Sequence, residues 1–293
     1  MTPNASSSAA ASADFAPAPG AGGLAKLVLI AADGARAELY LYGAQVTSWV
    51  PAGDSADRLF LSSSAQFSPG AAIRGGVPVS FPQFAAQGPL PNHGFARVSD
   101  WDLVRAEQLA GGAARAVVRL ADSAATRATW PHPFTAEVTV TVIGRTLEIG
   151  LAVANTGATR FAFTAALHTY LRVGHVRETL VYGLRNASYR DKVLDRDGLI
   201  ETAPALPIDR PIDRIYYAAP DGLMVRESGR TTSIRASGFP DTVVWNPGPA
   251  AAMYDLEPGG YARMLCVEAA VARAPAALDP GAQWRGAQAL TAE

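Results

Sequence analysis

Two residues stand inside apolar, strand-like runs where a charge is costly: His168 in FTAALHTYLRV and Glu268 in MLCVEAAVA. A carboxylate buried without a partner loses its hydration, so Glu268 must either pair with a cation or face a cavity. Burial also raises a carboxyl pKa toward the range useful for a general base. Each residue has a plain structural alternative, since a lone strand histidine often just satisfies a core hydrogen bond and a buried glutamate often pairs with an arginine. Arg74 and Arg97 bracket a third feature, IRGGVPVSFPQFAAQGPLPNHGFAR, which holds four prolines, four glycines and His93. Prolines and glycines fix turns, so this stretch presents its polar side chains on a shaped loop. Guanidinium forks match two phosphate oxygens at once, although single arginines are commonly surface residues. Asp213, in PIDRIYYAA, is placed to accept hydrogen bonds from a hydroxylated ligand or to close an Asx turn. Trp245, in VVWNPG, could stack on a sugar face or pack in the core.

Metal binding is the competing chemistry. His93, His168 and Glu268 could form a His₂Glu site, but no HxH or HxxxH pair exists and each residue lies on a different segment. The expectation is no metal and no cofactor. His132 in WPHPF and His175 in a Gly-His turn read as structural or exposed. Cys266 is the only cysteine, which excludes an intrachain disulfide and fits a reducing, cytoplasmic setting.

The elements that must position these residues are strands. LAKLVLIAADG, ARAELYLYGAQVTSWVP and later segments alternate apolar and polar residues between glycine-containing breaks. In FTAEVTVTVIG–RTLEIGLAVAN, Val138, Val140 and Val142 share one face, and Leu147, Ile149 and Leu151 share one face of the partner. No long amphipathic helix, βαβ alternation, phosphate-loop glycine pattern or fixed-period repeat is present. The expected fold is all-β, a large antiparallel β-sandwich in one domain over residues 24–293. Residues 1–23, rich in Ala, Ser, Pro and Gly, are expected to form a weakly structured tail. A net charge of −1 gives no field for nucleic acid, and no apolar run approaches the ~20 residues of a membrane span.

Taken in order, RGGVPVSFPQF, LPNHGFAR, ALHTYLRV, DRIY, WNPG and MLCVEAA resemble the hexose-6-phosphate mutarotases of the aldose 1-epimerase superfamily. The resemblance spans about residues 25–290. It implies a galactose mutarotase-like supersandwich and a cofactor-independent exchange of the α and β anomers of glucose 6-phosphate. In that scheme His168 is the general acid that protonates the ring oxygen, and Glu268 is the general base that deprotonates the anomeric hydroxyl. It also implies that Arg74, Asn92, Arg97 and Asp213 contact substrate and that His93 lines the pocket; for such an exchange one acid and one base on opposite sides of C1 suffice. Two departures stand out. Asn92 replaces the glutamine common in relatives, and WNPG continues as PGPAAAMYDL without the usual aromatic and lysine. The alternatives are a mutarotase for unphosphorylated aldoses and a non-catalytic sugar-phosphate binder. A monomer is expected.

Overall fold

The computed structural model describes residues 15–220, 222–227 and 229–293. Antiparallel strands dominate, in sheets of four, eight and nine strands. Among the described residues the single α-helix spans only Ala124–Thr129, closed at its start by a reciprocal Ser123–Thr126 capping box. Among the described residues, no helix is long and apolar enough to cross a membrane.

The hairpin Phe134–Ile143 and Thr146–Asn155 pairs Val138 with Leu151, Val140 with Ile149 and Val142 with Leu147. These six side chains are buried in one large core. Facing them across that core are Leu167, Val244, Leu265, Val267 and Ala269 of the eight-stranded sheet. Because strand side chains alternate in direction, the residues between these point to the other face of the eight-stranded sheet. Two smaller apolar clusters occupy that face, one around Phe84, Ile215 and Val243 and one around Phe60, Tyr170 and Cys266.

Part of the expected tail is ordered. Ala18–Pro19 pairs antiparallel with Ala25 and Lys26 at the edge of the four-stranded sheet, and the Ala21 N–H donates to the Tyr40 hydroxyl. The rest of the tail, residues 1–14, lies outside the described residues. The short apolar pair Ala18–Pro19 is enough to add a strand because the edge of Ala25–Ile30 offers free backbone groups.

A β-bulge sets the register at the centre of the molecule. Phe161–Leu167 pairs with Met264–Leu278, and between Phe163 opposite Ala276 and Ala165 opposite Val271 the register shifts. The long strand carries the extra residues, and the Asp241 carboxylate holds them by accepting from the backbone N–H groups of Ala272 and Arg273 at 2.9 and 2.8 Å. Beyond the bulge the pairing runs evenly from Leu167 opposite Ala269 to Tyr170 opposite Cys266, so His168 falls opposite Glu268.

Loop 73–97 is anchored as its composition demands. Ile73, Val77, Val79, Phe81 and Phe84 are buried, and the buried Gln45 amide donates to the Ile73 carbonyl at 3.0 Å. Backbone geometry requires glycine at several positions of this loop, Gly76 and Gly94 among them. Gly76 has φ +62° and Gly94 φ +70°, and a Cβ there would press on the carbonyls of Val46 and Phe81. Gly94→Ala is therefore expected to destabilise the fold by about 1–3 kcal/mol. A urea unfolding midpoint equal to that of the unsubstituted chain would contradict this.

Candidate active site

Register assembles the site. On the non-core face of the eight-stranded sheet, Lys192, Asp213, Trp245, Cys266 and Tyr170 follow one another across neighbouring strands. Beside this row run Arg190, Ile215, Val243, Glu268 and His168. The strands Ser188–Asp191 and Ile212–Tyr217 are clamped from their opposite face. There the buried Arg214 guanidinium binds Asp191 at 3.0 Å and Glu201 at 2.9 Å, and the Tyr216 hydroxyl donates to Glu201.

A cavity of about 650 Å³ opens on this face. Its walls include Arg74, Asn92, His93, Arg97, His168, Asp213 and Glu268, together with Trp245. Residues drawn from six sequence segments thus meet around one space.

His168 is 7% exposed and Glu268 2%. His168 Nδ1 lies 3.3 Å from Glu268 Oε1, but the two are not aligned as a hydrogen bond, and Nδ1 and Oε2 have no hydrogen-bond partner. We therefore treat them as neighbours rather than as a formed ion pair. Burial pushes the Glu268 carboxyl well above its usual pKa, with the Asp213 charge adding to the effect. Burial also pushes the His168 imidazole well below its usual value, reinforced by His93, Arg74 and Arg97. Both directions favour a neutral pair holding one proton. As cross-strand partners the two stand side by side at the wall of the cavity.

His93 sits across from His168, with ring centroids 5.3 Å apart. Its Nδ1 contacts the Ser80 hydroxyl at 2.8 Å and accepts from the Ala85 N–H at 3.4 Å, which assigns its proton to Nε2. Burial, followed by the charge of Arg97, lowers its pKa to about 3, so it is a neutral donor. Because His93 Nδ1 is occupied in this way, the His93–His168–Glu268 metal set does not assemble. The donor atoms that do converge belong to His168, Cys266 and Glu268.

The arginines differ in a way their sequence contexts do not show. Arg74 donates to the Tyr170 hydroxyl at 2.8 Å and pairs with the buried Asp255 at 3.0 Å. Burial opposes its charge, but Tyr170 and Asp255 more than offset that and hold its pKa above normal. Arg97 donates to the backbone carbonyl of Asn92 at 2.8 Å and, among the described residues, makes no ion pair. Burial pushes its pKa down, with the repulsion of Arg74 adding to it. Asp213 pairs with Lys192 at 2.7 Å; burial raises its pKa against that pull.

Arg190, Lys192, Gln87 and Met253 also line the cavity and were missed in the sequence. The signal for two of them was present. In SYRDKV, Tyr189 and Asp191 alternate with Arg190 and Lys192, so a strand there puts two cations on one face.

The profile of the family described as aldose 1-epimerase matches residues 26–291. The chain belongs to the aldose 1-epimerase family. It is an epimerase, an isomerase acting on sugars, as that family is. A Cenchrus ciliaris protein named as a candidate glucose-6-phosphate 1-epimerase is 38% identical over 92% of this chain and 85% of its own length. An Escherichia coli protein with the same name is 36% identical over 84% of this chain and 83% of its own. The crystal structure of a candidate mutarotase, YeaD, of Salmonella typhimurium superposes with a TM-score of 0.84 at 33% identity, covering 92% and 90% of the two chains. Like this aldose 1-epimerase family member, these relatives align along nearly their whole length.

Proposed function

We propose that this epimerase interconverts the α and β anomers of hexose 6-phosphates, with glucose 6-phosphate the first substrate to test. The observation that carries the reading is the side-by-side pair His168–Glu268 in a cavity that also holds Arg97, a guanidinium with no carboxylate partner among the described residues. The names of the curated relatives point to the same substrate.

Transfer of the neutral pair's one proton from Glu268 to His168 gives the reactive arrangement, in which Glu268 takes the proton of the C1 hydroxyl while His168 gives one to the ring oxygen. The C1–O5 bond breaks as the C1 aldehyde forms. After rotation about C1–C2 the other carbonyl face is presented, and the same groups return their protons in reverse. The carboxyl and imidazole need only exchange roles, so a pair holding one proton can run the step in both directions. Trp245 walls the cavity as an apolar face for the sugar ring, while Asn92, His93 and Asp213 supply polar contacts to its hydroxyls. Arg97, with Arg74 behind it, holds the phosphate.

A mutarotase for unphosphorylated aldoses is the second reading, and the neutralisation of Arg74 by Asp255 favours it. Two-dimensional exchange NMR on the anomeric protons decides between them. Cross-peaks are expected to strengthen with protein for glucose 6-phosphate and far less for glucose. Equal enhancement would support the second reading. Binding without exchange for either sugar would overturn the catalytic assignment in favour of a sugar-phosphate binder.

A further inference from the structure

Buried beside the cavity is a second kind of chemistry, which acid–base catalysis does not use. Cys266, the only cysteine, is two residues from Glu268 on the same strand and therefore on the same face. Its thiol, a ring nitrogen of His168 and a carboxylate oxygen of Glu268 all lie within 4.8 Å of one another, and all three residues are buried. Two buried donor atoms of these residues have no hydrogen-bond partner, His168 Nδ1 and Glu268 Oε2. Nitrogen and oxygen ligands about 2.0–2.1 Å from a tetrahedral zinc ion stand about 3.3 Å apart. That is the separation of His168 Nδ1 and Glu268 Oε1, 3.3 Å.

We propose that His168, Cys266 and Glu268 form an inhibitory site for a thiophilic divalent cation such as zinc or cadmium. One imidazole, one thiolate and one carboxylate supply three ligands, and the cavity leaves the fourth position to water. Binding releases the thiol proton to solvent, and the cation holds the His168 imidazole and the Glu268 carboxylate that proton transfer needs. A hard cation such as magnesium has no preference for a sulfur and imidazole set, so the site discriminates by ligand type. Only the inhibition half of the proposal rests on the proposed mutarotase activity.

The test is a cadmium titration of the full chain, followed by the ultraviolet thiolate-to-cadmium charge-transfer band. With a single cysteine in the chain, the band reports on this thiol alone. The expected result is a band that saturates at one cadmium per chain, vanishes in Cys266→Ala and Cys266→Ser, and needs at least about tenfold more cadmium in His168→Gln. Zinc should suppress anomer exchange in the unsubstituted chain. Cys266→Ala should keep the basal rate and lose at least about tenfold of the sensitivity. No saturable band, or one unchanged by His168→Gln, would overturn the site. Equal zinc sensitivity in an active Cys266→Ala would overturn its inhibitory role. If the chain catalyses no exchange, the band still decides whether the cation binds.

Discussion

Glu268→Gln and His168→Gln are each expected to slow glucose 6-phosphate anomer exchange by about 10²–10⁴-fold while leaving the fold intact, the range over which a positioned acid or base contributes. Both substitutions keep size and remove proton transfer. Since neither Nδ1 nor Oε2 has a hydrogen-bond partner to lose, packing should survive. The pH dependence gives a second readout. The working pair holds one proton. On the acid side activity falls as the pair takes up a second proton, at a pH below the ordinary histidine range because burial lowers His168. On the alkaline side it falls as the last proton leaves, above the ordinary carboxylate range because burial raises Glu268. Stability has its own sign. A carboxyl raised in the folded state stabilises below its unfolded pKa and loses that contribution as pH climbs through the folded value. Glu268→Gln cannot titrate, so its Tm advantage over the unsubstituted chain should grow with pH. Full exchange rate in both variants would remove these residues from the mechanism.

The second large effect concerns the phosphate. Arg97→Ala is expected to raise KM for glucose 6-phosphate by about 10–100-fold and to leave glucose nearly unaffected, because charge-assisted hydrogen bonds contribute about 1.5–3 kcal/mol. Partial exposure of Arg97 argues for the lower half of that range. Arg74 is the poorer probe. Removing it would leave the buried Asp255 carboxylate without its partner at 3.0 Å, so Arg74→Ala confounds binding with folding. Steady-state rates on both sugars check the prediction. An unchanged KM in Arg97→Ala would shift the reading toward unphosphorylated aldoses.

Much of the sandwich was written in local pattern. The alternation of Val138, Val140 and Val142 against Leu147, Ile149 and Leu151 requires nothing beyond its own hairpin, and it pairs as the pattern implies. Glu268 was visible for a similar reason, as a charge in a run otherwise fit for burial. The partners of these groups were not visible. Asp255 stands in a loop rich in alanine and glycine, and nothing nearby says that it reaches Arg74. Arg190 and Lys192 looked like any polar half of a strand, because the face they share with Glu268 is defined only by pairings with and among three other strands. The residues before Leu24 have a composition common to tails, but a vacant sheet edge gives Ala18–Pro19 somewhere to pair.

The bulge between Phe163 and Ala165 has a meaning for inheritance as well as for shape. If the pairing on its far side simply continued through, Glu268 would face Leu171 rather than His168, and the sandwich could still close around an intact core. Asp241, whose carboxylate holds the bulge and touches neither sugar nor reacting proton, is thus a register lock. A lineage that loses it, or gains or drops a residue within Ala272–Ala276, can retain a folded sandwich in which His168 and Glu268 no longer face each other. The proposed site is in this sense more fragile to small insertions than the architecture is.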